Sequence, residues 1–360
     1  MSVFWLFVIA GALLFLQGRL FRHLAAKSVD YARSFSKPAA FTGSTIEMVE
    51  VLSNRSRLPI PWLRVQSRIP AALIFGAGSM QEISGKMYHR SFFYLSPRSR
   101  VTRRHTVTLS KRGLYRVSSV SLTGGDLFGF GNCEKAIDIN ALVYSYPKLI
   151  SDRELPLPCS RFMGDMLVRR FIMPDPYMVS GARAYRAGDS PREINWALNA
   201  KTGELQVKTH DCSADPKMLV VLNVQLSEHQ WDALDEKQLE SIEMGVSIAA
   251  SICLTAIDKG AEAGFCANTT LETDETPAFI APARSEEQKR LILETLARLT
   301  LRMRLNFYAY LEAIEIPDGT TDMLVLSCVD SEKIETEIQK IRSRGINVML
   351  HELKGGKNDA

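Results

Sequence analysis

The chain has 360 residues, of which 46% are hydrophobic and 23% charged, so it is globular over most of its length and long enough for two or three domains. Its formal net charge of +4 is too small to make the whole chain a polycation. Six cysteines are scattered without a C-x-x-C pair, which argues against a thiolate zinc site, a thioredoxin-like motif and a dense disulfide scaffold, and makes a reduced compartment the simplest setting.

The N-terminal segment has the composition of a membrane anchor. Residues 1–18 carry no charged side chain, and residues 3–16 are apolar or glycine, a length at the lower edge of what spans a bilayer. A signal peptide and a buried helix are the alternatives, but no Lys or Arg precedes the apolar run and no clean small-residue cleavage site follows it. The basic residues that come before the first acid are Arg19, Arg22 and Lys27. By the positive-inside rule they stay cytoplasmic. We therefore expect a single-pass protein of the cell inner membrane with most of the chain in the cytoplasm, and no second apolar run of spanning length.

Charge is distributed unevenly along the rest of the chain. Residues 51–116 hold thirteen Lys or Arg against one acid, Glu82, whereas residues 225–300 hold fourteen Asp or Glu against six Lys or Arg. The basic stretch is either an ordinary solvated face or a surface against the anionic inner leaflet, where each basic side chain contributes about 1 kcal/mol. Nucleic acid is not expected as a partner, because aromatic interleaving is sparse and no nucleic-acid motif occurs.

After a juxtamembrane linker at 19–39, the pattern of residues 40–150 predicts a small β-sandwich. Residues 44–52 alternate, so that two sets of side chains lie on opposite faces. One set is Ile46, Met48 and Glu50, and the other is Thr45, Glu47 and Val49. Further short strands are predicted at 106–109, 115–122 and 141–146, with prolines and the Gly124-Gly125 pair marking turns.

Residues 216–353 predict a doubly wound parallel α/β domain. The predicted elements are a buried strand at 218–224, a helix at 232–259, a strand at 264–268, a helix beginning at Ser285, and a β-α-β unit made of 323–328, 331–344 and 346–351. The helix from Ser285 has acidic Glu286 and Glu287 in its first turn, and we expect Arg302 and Arg304 in its last. The tail, 354–360, is polar and expected to be disordered.

The segment 151–215 lies between these domains, and its residues 181–201 concentrate arginines, carboxylates and aromatic side chains. Ser190, Pro191 and Glu193 form a capping-box pattern that predicts one helix ending near residue 200. The basic residues around the two acids of this segment, Asp189 and Glu193, are Arg183, Arg186, Arg192 and Lys201. The pattern is typical of a buried ion-pair junction or of an anion site at a helix N-terminus, and we favour a structural or partner-binding role over catalysis.

This segment resembles the signature of the domain-of-unknown-function 58 family, R-x-Y-x-x-G-D-x-x-R-x-I-x-W followed by Ala-Arg, Leu and Val. The matching residues are Arg183, Tyr185, Gly188, Asp189, Arg192, Ile194, Trp196, Ala200, Lys201 (in place of the usual Arg), Leu205 and Val207. Upstream matches lie at 58–62, 111–115, 126–129 and 146–147. The resemblance implies an N-terminal membrane anchor, usually of two helices, of which one is visible here.

The resemblance also implies that the C-terminal domain is Rossmann-like and similar to von Willebrand factor type A domains. The expected fold is thus α+β and multidomain: a transmembrane helix, a β-sandwich and this α/β domain. Metal-binding members of the type A fold end the first strand in Asp-x-Ser-x-Ser, whereas this chain has Asn223, Gln225 and Ser227 at those positions. A neutral amide is a poor ligand for a hard cation, so we expect no metal and no cofactor. Asp330 is expected to cap the helix after it.

No phosphate-binding loop, zinc-protease motif or nucleophile elbow occurs, and the six histidines have no metal-ligand spacing. Cys212, beside Asp211 and near His210, is interpreted as an ordinary cysteine. We therefore predict a bacterial membrane-anchored adaptor that binds other proteins and is not an enzyme.

The resemblance implies MoxR-type AAA+ ATPases as partners, with other membrane or envelope proteins, in the assembly or maturation of an envelope or secreted component. The alternative function is a small-anion-binding protein or enzyme that uses Arg183, Arg186, Arg192 and Lys201. A third interpretation, a β-sandwich that binds cell-wall polymer, requires most of the chain to lie outside the cell.

Overall fold

A computed structural model describes residues 2–76, 80–83, 86–125, 132–172, 179–210, 216–226, 235–272 and 276–353. The chain divides into two compact units, residues 1–148 and residues 149–360.

The first unit begins with a helix that carries exposed apolar side chains. Helix α1 spans Ser2–Lys27. Phe4, Phe7 and Leu16, which lie within the stretch predicted to be an anchor, are 69%, 69% and 64% exposed. The helix continues past residue 18 into the predicted linker. The rest of that linker is also structured, since it contains the first strand of the sandwich, and the second strand begins at its last residue. Backbone hydrogen bonding to the sheets, which local composition does not reveal, accounts for this difference.

Ten strands of the first unit form two sheets that pack face to face. Their bounds are β1 Val29–Phe35, β2 Ala39–Phe41, β3 Thr45–Asn54, β4 Ile60–Arg68, β5 Leu73–Phe75, β6 Met80–Ile83, β7 Lys86–Leu95, β8 Arg100–Leu109, β9 Gly113–Gly125 and β10 Asn132–Tyr146. One sheet has the order β1-β3-β8-β5 and the other the order β2-β10-β9-β4-β7-β6. Only β2 runs parallel to its neighbour, β10, among the strand pairs that the described residues form in this unit. The predicted sandwich is therefore present as an arrangement of two sheets.

The alternation predicted for 44–52 is present in β3, where Ile46 and Met48 are buried. The other strands are longer than predicted. Gly124 and Gly125 were expected to form a turn, but they continue β9 and pair with Cys133 and Asn132 of β10. Residues 126–129, which complete that predicted turn, lie outside the described residues.

Two apolar clusters fill the sandwich. One contains Leu52, Leu63 and Leu122, and the other contains Met48 and Val143. Leu52 and Met48 belong to the same strand and the same face, so the residue between them on that face, Glu50, is placed between the two clusters. A charged side chain therefore interrupts a core that is otherwise apolar.

The second unit contains a small hairpin and a doubly wound sheet. Its elements are α2 Leu157–Ile172, β11 Val179–Ala184, a 3₁₀ turn Pro191–Glu193, α3 Trp196–Thr202, β12 Gln206–His210, β13 Lys217–Leu222, α4 Glu236–Asp258, β14 Glu262–Leu271, β15 Pro277–Ala283, α5 Glu286–Arg298, β16 Leu299–Met303, α6 Phe307–Ala313, β17 Asp322–Ser327, α7 Glu332–Ser343 and β18 Asn347–Glu352. The large sheet has the order β15-β14-β13-β17-β18, and β16 pairs with β14.

Strands β14, β13, β17 and β18 of this sheet are parallel, as the sequence predicts, and β15 adds an antiparallel edge. The chain passes from β13 outward to β14 and then back across to β17, so the topological switch point lies between β13 and β17. Leu219 and Val221 of β13 pack with residues of α6 and α7, whereas Leu222 lies against Gly245 of α4. Helices thus cover both faces of the sheet.

Two helix-boundary predictions in this unit are wrong. The helix after Ser285 ends at Arg298, and Arg302 lies in β16, because residues after 298 pair with β14 instead of continuing the helix. Asp330 does not cap α7; the Ser331 hydroxyl accepts the Ile334 N–H at 3.4 Å. The tail predicted to be disordered lies outside the described residues.

Among the described residues, α4 is the one helix long and apolar enough to cross a membrane by length and composition, and Phe4–Arg19 is a shorter apolar helix. The length and composition of α4 therefore contradict the prediction that no second apolar run of spanning length occurs. However, α4 packs on the sheet, with Ile242, Val246 and Ala249 fully buried, which is the position of a core helix.

Candidate functional site

The predicted motif residues lie on a small hairpin of the second unit. Strands β11 and β12 are antiparallel, with Arg183 opposite Val207. Between them the chain forms a turn, the 3₁₀ turn and α3. We call residues 179–210 the motif hairpin.

An ion pair shapes the first turn of the motif hairpin. The Arg183 guanidinium donates from Nη1 to Asp189 Oδ2 and from Nη2 to Asp189 Oδ1, both at 2.7 Å. The same carboxylate accepts the Arg186 N–H at 2.8 Å, and Gly188 supplies a positive φ of 107°. The hydrogen bonds from Arg183, together with the one from the Arg186 backbone, lower the pKa of Asp189 to about 2. Arg183, Gly188 and Asp189 therefore hold the backbone of the turn.

The capping prediction for this segment is only half correct. Ser190 accepts the Arg192 N–H at 3.4 Å, but it caps only the 3₁₀ turn. Ile194 then forms a β-bridge with Val207, and a new helix begins at Trp196 with Asn195 as its N-cap. Two short helical turns replace the single predicted helix, because cross-strand pairing of Ile194 competes successfully with continuation of the helix.

The remaining motif side chains point outward. Trp196 is 65% exposed and Tyr185 is 38% exposed, and Arg186, Arg192 and Lys201 are exposed as well. Within the described part of the chain these three cations form no ion pair, whereas Arg183 is occupied by Asp189. The ion pair is on the surface, so the predicted buried junction is wrong. The seven-residue α3 is also too short to supply the helix N-terminal anion site.

Neutral amides occupy the switch point of the large sheet. Asn223, directly after β13, is fully buried, and its Oδ1 accepts from Asn268 Nδ2 and from the Gln225 N–H, each at 2.9 Å. Its Nδ2 donates to Ser327 Oγ at 2.9 Å, and Gln225 Oε1 accepts the Phe307 N–H at 2.9 Å. Ser227 lies outside the described residues. These side chains connect β13, β14, β17 and α6 by hydrogen bonds, so the amides have a structural role at the switch point.

A buried charged layer in the β-sandwich was missed by the sequence analysis. Glu50 is fully buried, and both of its carboxylate oxygens are used. The contacts to Oε1 are Tyr31 OH at 2.7 Å and Arg33 Nη2 at 2.5 Å, and those to Oε2 are Ser91 Oγ at 3.1 Å and His105 Nε2 at 2.9 Å. Arg33 also donates to Ser67 Oγ at 2.5 Å and to Tyr31 OH at 2.7 Å. Strands β1, β3 and β8 of one sheet and β4 and β7 of the other therefore meet around one carboxylate.

The layer perturbs the pKa values of its members. Burial acts to raise the pKa of Glu50, but the hydrogen bond from His105 and the charge of Arg33 outweigh it and hold that pKa well below its usual range. Burial lowers the pKa of His89 to about 4, so His89 is neutral at pH 7. Its Nδ1 lies 3.9 Å from Glu50 Oε1, and within the described part of the chain neither ring nitrogen has a hydrogen-bond partner.

The ligand-type atoms of Glu50, His89 and His105 lie within 4.8 Å of one another, close enough to hold a metal ion. The six histidines show no such spacing in the sequence because His89 and His105 belong to different sheets. Arg33 places a full positive charge on the same carboxylate, which opposes a bound cation, and Glu50 has no oxygen left unpaired. The arrangement therefore fits a self-contained ion-pair layer better than a metal centre. The sequence did contain one sign of this buried layer, because Glu50 occupies a core-facing position of the alternating 44–52 pattern.

The sequence profile of the family described as "Protein of unknown function DUF58" matches residues 181–326. The match begins in the motif hairpin and ends in β17, so it covers the switch point. No curated protein matches the chain.

Solved structures with a similar arrangement include three small domains. The CARDB domain of a Pyrococcus furiosus protein is 15% identical, covers 33% of this chain and 97% of its own, and has a TM-score of 0.22. PapD-like domain 7 of human CEP192 is 14% identical, covers 34% of this chain and 88% of its own, and has a TM-score of 0.23. The GAE domain of GGA2p from Saccharomyces cerevisiae is 11% identical, covers 32% of this chain and 90% of its own, and has a TM-score of 0.22. At these TM-scores the similarities carry no functional conclusion.

Proposed function

We propose that this protein is a membrane-anchored adaptor that binds other proteins through the exposed face of the motif hairpin. In this proposal α1 crosses the cell inner membrane once and the two units lie in the cytoplasm. The partner class, a MoxR-type AAA+ ATPase acting with other membrane or envelope proteins, comes from the family resemblance.

The exposed apolar side chains of α1 support the anchor. A helix of 26 residues is about 39 Å long, enough to cross a hydrocarbon layer of about 30 Å. Contiguous apolar side chains exposed to water are unfavourable, and acyl chains would remove that cost. The basic residues after the apolar stretch favour a cytoplasmic location for the two units.

The observation that carries the binding function is Trp196, 65% exposed on a short helix that Asn195 and Gly203 cap at its two ends. Exposed Trp, Tyr and Arg on an ordered scaffold are the residue types that dominate the energy of protein interfaces. The motif hairpin provides all three, since Tyr185 and Arg192 are also exposed. Arg183, Gly188, Asp189 and Ile194 form contacts within the motif hairpin and set its shape, whereas Tyr185, Arg192 and Trp196 are presented on its surface.

The test is binding of the full chain, in detergent micelles, to a MoxR-type ATPase from the same organism, measured by light scattering and titration. Trp196→Ala should weaken binding by about thirtyfold, which corresponds to about 2 kcal/mol at an interface hot spot. Phe279→Ala is the matched control, because Phe279 is an exposed aromatic residue on the edge strand β15 and should leave the affinity unchanged. Absence of binding by the unaltered chain would overturn the partner assignment.

The small-anion alternative rests on Arg186, Arg192 and Lys201, which remain without ion pairs in the described part of the chain. It requires inorganic phosphate or a sugar phosphate to raise the melting temperature, and Arg192→Ala to abolish that rise while the protein stays folded. An unchanged melting temperature in phosphate would exclude it.

A further inference from the structure

Two loops of the β-sandwich are joined to each other and to the end of α1. The buried Asn54 side chain donates to the Leu58 carbonyl at 2.9 Å and to the Ser96 carbonyl at 3.0 Å. The Arg98 N–H donates to the Ser56 carbonyl at 2.9 Å, and the Arg55 N–H donates to the carbonyl of Ser28, the residue after α1, also at 2.9 Å. We call residues 55–59 and 96–100 the arginine loops. They lie at the end of the sandwich where the predicted anchor enters.

The arginine loops carry an excess of unpaired positive charge. Arg57, Arg98 and Arg100 are exposed, and in the described part of the chain none of them forms an ion pair. Arg55 pairs with Asp30, which is the only acid in residues 28–30, 54–60 and 96–100. Leu58, 41% exposed, adds an apolar side chain in the middle of this charge.

Arg98 also has an unusual backbone conformation. Its φ is +48°, and among the described residues it is the one non-glycine residue with a positive φ. Side chains other than Gly, Asn and Asp rarely adopt this region, so a long cationic side chain here is not explained by the turn alone. The hydrogen bond to Ser56 holds the strained residue in place.

We propose that the arginine loops bind the headgroups of anionic phospholipids in the leaflet that α1 leaves. This inference rests on the anchor of the proposed function. The part of α1 after Gly18 extends about 13 Å beyond the apolar stretch, and the headgroup layer is about 5–8 Å thick on each side. Arginine side chains are long, and charges interact over a screening length of about 10 Å at 0.1 M salt, so the guanidinium groups remain within electrostatic reach of the headgroups. The basic stretch 51–116 thus divides into three arginines at the membrane and the others elsewhere on the sandwich.

The experiment uses the full chain in proteoliposomes of phosphatidylcholine alone or with one third phosphatidylglycerol. Amide exchange of the arginine loops should be slower in the anionic vesicles, and 0.5 M NaCl should remove the difference. One basic side chain near the surface changes binding about fivefold, so the triple variant Arg57→Ser, Arg98→Asn, Arg100→Ser should lose the effect of the anionic lipid. Asn at position 98 keeps a residue that tolerates positive φ.

The matched control removes the same charge from the opposite end of the sandwich, with Lys37→Ser, Lys111→Ser and Arg116→Ser, all exposed in the unaltered chain. This variant should keep the slow exchange in anionic vesicles. Equal exchange in the two vesicle types, or equal behaviour of the two triple variants, would overturn the inference while leaving the anchor intact. Extraction of the chain from the vesicles by alkaline carbonate would overturn the anchor itself. If inorganic phosphate without lipid slowed amide exchange of the arginine loops, the loops would bind free phosphate instead of lipid headgroups.

Discussion

At the scale of single residues, the first unit depends on a carboxylate that no apolar pattern would place in a core. Glu50 lies between two apolar clusters and neutralises Arg33, which is itself fully buried. Desolvating two charges is expensive, and their mutual attraction with the extra hydrogen bonds offsets that cost only while both partners remain. The layer therefore fixes the register of the two sheets more than it adds net stability, because any slip would leave a buried charge unpaired.

We expect Glu50→Gln to lower the free energy of unfolding of the first unit by about 3–5 kcal/mol, since Arg33 would remain buried without its counter-charge. The measurement is urea unfolding of the full chain in detergent, followed by amide exchange in β3 and β8. Glu47→Gln is the control: Glu47 pairs with Arg104 on the surface and should cost less than about 1 kcal/mol. Equal effects of the two substitutions would contradict the role assigned to Glu50.

His89 predicts the acid sensitivity of the same unit. Its pKa is about 4 in the folded protein and 6.5 for an ordinary histidine, so between these values the unfolded chain binds a proton that the folded chain does not. The free energy of unfolding should therefore be fully retained above pH 6.5 and fall by about 3 kcal/mol as the pH drops to 4. Below pH 4.5 the Glu50 carboxylate adds a further loss, because its pKa is lowered in the folded state.

His89→Gln should flatten this dependence between pH 6.5 and 4.5, where Glu50 contributes little. Urea midpoints of the two proteins at several pH values in that window make the comparison. A variant as acid-sensitive as the unaltered chain would mean that another group carries the titration.

At the scale of elements, long-range pairing overrides local helix signals in the second unit. Ile194 leaves the helix that Ser190 begins because it bridges to Val207, and the stretch after Arg298 becomes β16 because it pairs with β14. Strand pairing also constrains side-chain size where β15 approaches β14 closely, at Gly264. A β-carbon on Gly264 would lie 2.6 Å from the Ile280 carbonyl oxygen and 2.7 Å from the Pro282 nitrogen, both backbone atoms.

Gly264→Ala should therefore destabilise the second unit by about 1–3 kcal/mol or more, because the edge strand must move to admit the methyl group. Gly164→Ala is the matched control: Gly164 is an exposed position of α2 where an added methyl group would meet nothing within 4 Å, and the change should stabilise by about 0.5–1 kcal/mol. Thermal unfolding should show a lower melting temperature for Gly264→Ala and a higher one for Gly164→Ala. Destabilisation by both would point to a general effect of glycine replacement instead of the β14–β15 contact.

At the scale of the whole molecule, the chain combines an exposed apolar helix with two units of different charge. The basic stretch 51–116 belongs to the first unit and the acidic stretch 225–300 to the second. An ATP-driven partner is reachable only if these units lie in the cytoplasm, so the orientation of α1 decides between the adaptor and the cell-wall interpretation.

A reporter that is active only in the cytoplasm, fused to Ala360, should give a signal, and a reporter active only outside the membrane should give none. The reason is the placement of basic residues after the apolar stretch. Reversing the charges with Arg19→Glu, Arg22→Glu and Lys27→Glu should reduce the cytoplasmic signal. An external signal from the unaltered chain would remove the ATPase partner class.

The sequence by itself determined the features that depend on local composition and periodicity. The apolar stretch of α1 was predicted from composition alone. The alternation of β3 and the elements β13, α4, β14, α5, β17, α7 and β18 were predicted because burial imposes a pattern that is visible within a few residues. Strands β15 and β16 and helix α6 were not predicted. The surface exposure of Trp196 was not determined in this way, since an aromatic residue fits a core equally well.

Only the tertiary structure decided which distant side chains meet. Glu50, His89 and His105 come together because two sheets stack, and the arginine loops meet because Asn54 joins turns 42 residues apart. Strand register and sheet packing set these contacts, and neither leaves a periodic signal in the residues themselves. The same reason explains why the network of Asn223, Gln225 and Asn268 required the folded sheet, although the sequence shows that each of these positions carries a neutral amide.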